Sequence, residues 1–328
     1  MKLLILPYHR GSFWNAPTQF SERLRKEFPQ LEVVHLSDDD QIEKQISDAE
    51  IVVTWTLRLN QFNAAKKLRW IHSPAAAVHQ LLFPELIASD VILTNGSDVH
   101  GATVAELVIA LIFALAKKLP LAMRCQQQRV WGQNQVWESR PQPREVAGAT
   151  LGLIGLGSIG TEVAKRASAL GMRVIAVRNI VAAEKPENVE QVYASSQINL
   201  MLSKSDYVVI AAPLTSSTAG MINADRLASM KPDSYLINVS RGQLVDESAL
   251  AEALRLGKIA GAALDVFEKE PLPPDSPLWD LQNLLITPHI AGFSANLWEK
   301  HYAFFTENLR RYLSHRPLVA VVDKSKGY

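Results

Sequence analysis

A glycine loop between an apolar strand and a helix constrains this chain more than any other feature. Residues 151–154 read Leu-Gly-Leu-Ile, and a GxGxxG pattern and a helix with one apolar face follow. In that context the glycines serve a tight turn, a close backbone approach to a pyrophosphate, and close helix–strand packing. The helix N-terminus offers unpaired N–H groups to the phosphates. We therefore predict a dinucleotide site formed by Gly155, Gly157, Ser158, Ile159 and Gly160.

Short apolar strands alternate with helical patterns along almost the whole chain, which predicts βαβ units and parallel sheets. The first part contains five such strands and lacks a glycine loop, so it is typical of a flavodoxin-like domain. From Thr150 onward six strands are predicted, as in a dinucleotide-binding Rossmann domain. The predicted fold class is α/β, with two doubly wound parallel-sheet domains.

Composition excludes several classes of protein. A net charge of +1 over 328 residues gives no basic surface for nucleic acid and no polybasic membrane signal. The single cysteine, Cys125, indicates a reducing compartment. The apolar run Leu3–Leu6 stops at Pro7 and is too short for a signal peptide or a membrane span. We expect a cytoplasmic protein without a metal site, a membrane partner or a nucleic-acid partner.

One helical segment, Ala102–Ala116, is apolar on nearly every face and is expected to be buried all round, between domains or subunits. The stretch after it carries Trp131 and Trp137 among polar residues. That stretch is either an arm that packs on a second subunit or a surface helix with a few core anchors, and the sequence favours neither.

The residue at the end of the second Rossmann strand selects the dinucleotide. Enzymes that use NAD usually place a carboxylate there to hold the ribose 2′-hydroxyl. This chain has Arg178, and no carboxylate stands between Arg173 and Ala183. Since a guanidinium binds a 2′-phosphate with paired hydrogen bonds, we predict that NADP(H) is preferred. NAD(H) remains the alternative, with Arg178 as a solvated strand-end residue.

Three ionisable residues follow the carboxyl ends of later strands, where ligands bind in open α/β sheets. They are Arg241, Glu270 and His289. An arginine can hold the carboxylate of a 2-keto acid and polarise the adjacent carbonyl. Hydride attack then creates an alkoxide, which a histidine can protonate near neutral pH. A carboxylate on the other ring nitrogen fixes the tautomer and favours the imidazolium, so this set predicts a hydride-transfer enzyme.

The sequences around these residues resemble the D-2-hydroxyacid dehydrogenases. The matching stretches are Leu236–Asp246, Ala263–Pro271 and Thr287–Gly292. The resemblance covers essentially the whole chain and implies the arginine, glutamate and histidine roles given above. It also implies that Asp265 meets the nicotinamide carboxamide and that Pro213 lines the adenine side. Arginine in place of the usual acid resembles the NADP-using glyoxylate/hydroxypyruvate reductases.

The resemblance further implies the domain arrangement. A Rossmann cofactor domain, residues 99–291, is inserted into a flavodoxin-like substrate domain formed by residues 1–98 and 292–328. A homodimer is implied, largely through the cofactor domains. The substrate carboxylate is expected to bind Arg241, His289 and backbone N–H groups near Ala76 and Ala77. Most members have glycine in that last loop, whereas this chain reads Ser73-Pro74-Ala75-Ala76-Ala77, so substrate identity stays open.

Within the family, a reductase of bulkier 2-keto acids and a short-form phosphoglycerate dehydrogenase are alternatives. The amino-acid-regulated form of the latter is disfavoured, because few residues follow His289. Formate dehydrogenases resemble this pattern with glutamine at the position of Glu270, which argues against formate. A dinucleotide-sensing scaffold similar to transcriptional corepressors is the alternative of a different class.

Overall fold

The structure, a computed structural model, describes residues 1–7, 14–179 and 185–328. The chain forms two compact units. Unit 1 combines Met1–His100 with Ser294–Tyr328, and unit 2 is Gly101–Phe293. Unit 2 is therefore an insertion in the sequence of unit 1.

Unit 1 contains a parallel sheet whose strand order, β2-β1-β3-β4-β5, is the flavodoxin-like order. The residues that the structure describes give five strands there, as predicted. The strands are β1 Lys2–Ile5, β2 Glu32–His35, β3 Ile51–Val53, β4 Trp70–Ser73 and β5 Ile92–Asn95. The helices are α1 Thr18–Glu27, α2 Ile42–Gln45, α3 Leu59–Ala64, α4 Pro84–Ile87 and, after unit 2, α12 Leu297–Leu313.

The sheet of unit 1 is covered on both faces, which explains why its strands are apolar without alternation. One face packs on α2 and α4 through residues such as Ile46 and Leu86. The other packs on α1 and α12, where Phe305 stacks on Trp70 with ring centroids 5.4 Å apart.

Unit 2 contains a parallel sheet in the order β12-β11-β10-β9-β6-β7-β8. Its strands are β6 Thr150–Ile154, β7 Arg173–Arg178, β8 Gln191–Ala194, β9 Tyr207–Ile210, β10 Tyr235–Asn238, β11 Gly261–Leu264 and β12 Leu284–Ile286. The connecting helices are α8 Ser158–Ala169, α9 Ile198–Lys204, α10 Ala224–Ala228 and α11 Glu247–Arg255.

The prediction of six strands in unit 2 was wrong, because the described part of the chain forms seven. The additional strand is β8, an edge strand of four residues in which only Tyr193 is buried. A short edge strand lacks the apolar run that marks a central parallel strand, so its sequence carries little signal. The order around β6 is still that of a Rossmann fold, and the predicted fold class is confirmed.

Helix α5, Ser97–Ala116, starts in unit 1 and continues into unit 2. It is long and apolar enough to cross a membrane by length and composition alone, a test that core helices also pass, and a little over half of it is buried. The expected burial of this helix between domains or subunits stays a prediction. Glu106 and Ala110 are exposed and Phe113 is only partly buried, so one stripe of the helix is accessible.

The stretch after α5 forms α6 Leu119–Gln127 and α7 Gln133–Glu138. Several of its apolar side chains are exposed, above all Trp131 at 89% and Trp137 at 66%. Apolar side chains exposed together in one stretch mark an interaction surface more often than scattered ones do. This finding argues against the interpretation of the stretch as a surface helix with core anchors.

Candidate active site

The glycine loop after β6 alternates between tight backbone contacts and open space. Gly155 has φ +102°, and a Cβ there would lie 2.5 Å from the carbonyl oxygen of Ala211. A Cβ at Gly160 would lie 2.2 Å from the carbonyl oxygen of Gly155, so only glycine lets α8 approach this closely. A Cβ at Gly157 would meet no described atom within 4 Å. Gly157 therefore leaves room for a ligand, as the approach of a pyrophosphate requires.

Helix α8 presents its first N–H groups at this loop. It begins at Ser158, after an extended Gly157, and runs for 12 residues. The first N–H groups of a helix have no acceptor inside it, and that end carries a partial positive charge. The backbone at Ser158 and Ile159 can therefore hold a phosphate group.

The chain after β9 passes beside the glycine loop. Ala211 donates its N–H to the carbonyl oxygen of Ile154 at 2.8 Å. Pro213 follows two residues later, and its own carbonyl oxygen accepts a hydrogen bond from Thr218 Oγ1 at 2.7 Å. Pro213, predicted to line the adenine side, thus stands close to the predicted phosphate loop.

Polar groups collect at the ends of β7 and β8. Arg178 is the last residue of β7 and is paired with Ala194 of β8. The next residue, Asn179, accepts a hydrogen bond at Oδ1 from Ser195 Oγ at 2.6 Å. A guanidinium, an amide and a hydroxyl are groups that bind phosphate oxygens well. Sequence reasoning did not include Ser195, because β8 was not predicted.

Glu270 and His289 form a direct pair, with Oε2 of the glutamate 2.6 Å from Nδ1 of the histidine. The other carboxylate oxygen, Oε1, accepts the N–H of Phe267 at 2.9 Å, so the carboxylate is held at both ends. Burial alone would raise the pKa of Glu270. The hydrogen bonds from His289 and Phe267, with the nearby charge of Arg241, outweigh burial and lower that pKa. The glutamate therefore stays ionised and can stabilise an imidazolium.

The backbone at His289 is left-handed, with φ +54°. Its N–H donates to the carbonyl oxygen of Asp265 at 2.8 Å. The buried side chain of Asp265 reaches further along the same segment, accepting hydrogen bonds from Thr287 Oγ1 at 2.6 Å and from the N–H groups of Ile290 and Ala291 at 2.9 Å. Asp265 thus holds the whole histidine segment, and its contact with a nicotinamide stays a prediction.

Arg241 is brought to the same place by its neighbour. Gly242 packs directly on the peptide that joins Phe267 to Glu268, and a Cβ at Gly242 would lie 1.8 Å from the Phe267 carbonyl carbon. The side chain of Asn238 donates from Nδ2 to the carbonyl oxygen of Arg241 at 2.9 Å. The loops after β10 and β11 are therefore locked together. Within unit 2, Arg241, Glu270 and His289 are neighbours.

In unit 1 the predicted carboxylate loop follows β4. Ala76 and Ala77 are partly exposed, and neither has a positive φ, so alanine fits their backbone without strain. His72 is fully buried and hydrogen bonded through Nδ1 to Thr94 Oγ1 at 2.9 Å. Burial lowers its pKa to about 3, in agreement with a structural role.

The arrangement in unit 2 can bind an anion, donate a proton and hold a dinucleotide. Within the described ranges no group of three or more histidine, cysteine, aspartate or glutamate residues could hold a metal ion. The donors present, backbone N–H groups and a guanidinium, suit phosphates and carboxylates.

Residues 109–291 match a sequence model of the D-isomer specific 2-hydroxyacid dehydrogenase, NAD binding domain. A glyoxylate reductase from Korarchaeum cryptofilum is 37% identical over 251 residues, which are 76% of this chain and 74% of that protein. A D-3-phosphoglycerate dehydrogenase from Archaeoglobus fulgidus is 34% identical over 83% of this chain. The chain spans only about half of that relative, 47% of its length.

A solved structure gives the same picture. The NADPH-dependent glyoxylate/hydroxypyruvate reductase from Sinorhizobium meliloti, in complex with NADP and sulfate, aligns over 100% of both chains. The TM-score is 0.84 at 27% sequence identity. The likeness therefore extends across both units of this chain.

Proposed function

This chain belongs to the D-isomer specific 2-hydroxyacid dehydrogenases, oxidoreductases that use a nicotinamide dinucleotide, and we propose that it reduces a small 2-keto acid with NADPH. The class of acid proposed is that of glyoxylate and hydroxypyruvate. The observation that carries the proposal is the Glu270–His289 pair beside Arg241, in the unit that carries the dinucleotide loop. That set supplies a proton donor and a carboxylate ligand, the two things that hydride transfer to a keto acid requires.

The cofactor binds at Gly155, Gly157, Ser158, Ile159 and Gly160, with the ribose 2′-phosphate on Arg178. When bound, it supplies the hydride. The lining of this site is completed by Pro213 and Asp265.

The remaining roles fall to this chain's own side chains. The guanidinium of Arg241 binds the substrate carboxylate and draws electron density from the adjacent carbonyl. The imidazolium of His289 donates its proton to the forming alkoxide, and Glu270 holds the ring through Nδ1, so the proton leaves from Nε2. Ala76 and Ala77 add backbone donors for the carboxylate.

Reduction requires a proton from His289, because the forming alkoxide must be protonated. His289→Asn removes the acid while keeping a residue that tolerates a left-handed backbone. We expect this variant to lose about a hundredfold or more in kcat with little change in NADPH affinity. A variant with near-full turnover would remove His289 from the mechanism.

A homodimer is part of the proposal. The exposed apolar side chains of α6, α7 and the loop between them, with the accessible stripe of α5, give a surface suited to a second copy. Sedimentation of the wild-type protein and of a Trp131→Glu variant tests this. A dimer is expected for the former and a monomer for the latter.

The first experiment is oxidation of NADPH and NADH, at one pH, with glyoxylate, hydroxypyruvate, pyruvate and phenylpyruvate, together with the reverse reaction on 3-phosphoglycerate. Efficient turnover of the small polar acids with NADPH supports the proposal. Oxidation of 3-phosphoglycerate in preference would favour the second candidate, which rests on the relatives that carry that name. Binding of the dinucleotide without turnover of any acid would favour a scaffold.

Two variants on strand β7, one of them a control, test the preference for NADPH over NADH. Arg178→Ala should raise the KM for NADPH about tenfold or more and leave the KM for NADH nearly unchanged. Arg173→Ala, at the other end of β7, removes an exposed ion pair with Glu190 and should change neither value. Equal effects of both variants on NADPH would remove Arg178 from the cofactor site.

A further inference from the structure

Three consecutive carbonyl oxygens of the loop after β4 are each held by a donor from one short segment. The carbonyl oxygen of Ala75 accepts the N–H of Gly96 at 2.9 Å. The carbonyl oxygen of Ala76 accepts Nδ2–H of Asn95 at 2.8 Å. The carbonyl oxygen of Pro74 is 3.1 Å from Nε2 of His100. A carbonyl can only accept, so this imidazole carries its proton on Nε2.

The carbonyl contacts determine where the N–H groups of the loop point. In a trans peptide, the C=O and the N–H of the same peptide unit point in opposite directions. Each residue's N–H belongs to the peptide unit of the preceding carbonyl. The bonds on Ala75 O and Ala76 O therefore turn the N–H groups of Ala76 and Ala77 away from Asn95 and Gly96. Neither N–H has an acceptor among the residues that the structure describes.

Burial separates the holding groups from the free donors. Asn95 and His100 are buried, with 8% and 6% of their surface exposed, whereas Ala76 and Ala77 are partly exposed. The holding segment also requires a glycine: a Cβ at Gly96 would lie 2.2 Å from the carbonyl oxygen of Pro74. The loop itself contains no glycine, so its shape comes from these contacts and not from freedom of its own backbone.

We propose that Asn95 and His100 are positioning residues for the substrate carboxylate: Asn95, by holding Ala76 O, aims the N–H of Ala77 at the acid, and His100, by holding Pro74 O, fixes the first peptide unit of the same loop. The inference rests on the proposed function, in which the N–H groups of Ala76 and Ala77 bind the keto acid. Since they contact a part of the substrate that does not react, their binding energy is the same in the ground state and the transition state. Loss of the correct orientation should therefore change KM and not kcat.

The test compares variants of both residues with a structural control. Asn95→Ala should raise the KM for the best acid of the panel about tenfold, equivalent to about 1.4 kcal/mol. Its kcat and its KM for NADPH should stay within about twofold of wild type. Asn308→Ala is the control, because Asn308 is fully buried in the same unit and its amide, among the described residues, bonds only Val319. That variant should lose stability without changing either KM.

His100 allows a rescue experiment that does not depend on Asn95. His100→Leu removes the donor to Pro74 O and should raise the KM for the acid, whereas His100→Gln keeps an N–H donor at similar reach and should restore it. Equal KM values for Asn95→Ala and Asn308→Ala, or a failure of glutamine to differ from leucine, would overturn the inference while leaving the proposed function intact. A wild-type enzyme that turns over none of the acids overturns the proposed function, and this inference with it.

Discussion

The two units each expose backbone donors after a central parallel strand, and they do so by opposite means. The loop of unit 2 places glycines at Gly155, Gly157 and Gly160, so that the backbone itself becomes accessible. The loop of unit 1 keeps alanines and has its carbonyl oxygens held from behind by Asn95 and His100. Donors can thus be exposed either by removing side chains or by fixing peptide planes.

The comparison shows why one loop is evident in the sequence and the other is not. A glycine pattern is local and has a fixed spacing, so it can be identified by inspection. Hydrogen bonds to carbonyl oxygens come from residues about 20 positions away, and those residues have ordinary types. The loop of unit 1 also depends on a buried imidazole, that of His100, whereas the glycine loop of unit 2 depends on none.

Low pH should give the largest difference between the two units, because it should destabilise unit 1. Seven of the eight histidines belong to unit 1 in the sequence, and His289 is the exception. Next to the loop of unit 1, His301 faces His100, with ring centroids 5.2 Å apart, and His72 is nearby. Burial, with the neighbouring imidazoles, lowers the pKa of His301 to about 2, and burial lowers that of His72 to about 3.

Below about pH 6.5 the unfolded chain binds protons on both histidines, whereas the folded chain excludes them. The contribution of the two histidines to the free energy of unfolding is therefore complete above that pH and is lost below it. From pH 7 to pH 5 the loss should be about 4 kcal/mol for His72 and His301 together. Urea unfolding at the two pH values measures it, and hydrogen exchange shows whether unit 1 opens first. His301→Phe should remove about half of the loss; no change in the pH dependence would contradict the assignment.

The second-largest effect is expected from alanine at the closely packed glycines, which should destabilise the loops of both units. Gly96→Ala places a Cβ against Pro74 O, and Gly160→Ala places one against Gly155 O. Backbone atoms cannot move aside as a side chain does, so each variant should lose about 3 kcal/mol in free energy of unfolding. If Gly96→Ala is as stable as wild type, the loop of unit 1 does not depend on this close contact.

Gly157→Ala should show whether the space beside this residue is used by a ligand or by protein packing. Its Cβ meets no described atom within 4 Å, so the free energy of unfolding should change by less than about 1 kcal/mol. The KM for NADPH should nevertheless rise about tenfold or more, because the methyl group occupies the space of the pyrophosphate. Unchanged NADPH binding would show that the dinucleotide does not approach this backbone.

The smallest effect is expected from glycine in the alanine loop. Ala76→Gly or Ala77→Gly adds backbone freedom that the carboxylate must then restrict, at a cost of up to about 1 kcal/mol. The KM for the acid should rise about two- to fivefold. A lower KM than wild type would indicate that the alanine methyl groups obstruct the acid, and that alanine gives the loop of unit 1 no advantage in binding it.

The sequence identifies candidate site residues where the signal is local. The glycine loop, Arg178 and the residues after β10, β11 and β12 were chosen from strand ends and residue type. The structure brings Arg241, Glu270 and His289 together, and the roles of all these residues stay predictions. Strand β8 was missed because a short edge strand has no apolar run. For α5, the apolar sequence does not reveal which stripe stays accessible in the single chain.

The contacts that hold the site were beyond sequence reasoning for a physical reason. The side chain of Asp265 holds the histidine segment through three hydrogen bonds, and Gly242 locks two loops by backbone contact. These contacts form between loops that only the folded sheet places side by side. A residue type alone cannot report them.

The left-handed backbone at His289 restricts which amino acids could ever serve there. Outside glycine, that conformation is best tolerated by asparagine, aspartate and histidine. Asparagine does not titrate, and aspartate stays ionised at neutral pH. Of these three, only histidine gains and loses a proton near pH 7. The turn that Asp265 stabilises therefore favours histidine as the general acid before any substrate is present, and most other side chains at this position would add backbone strain.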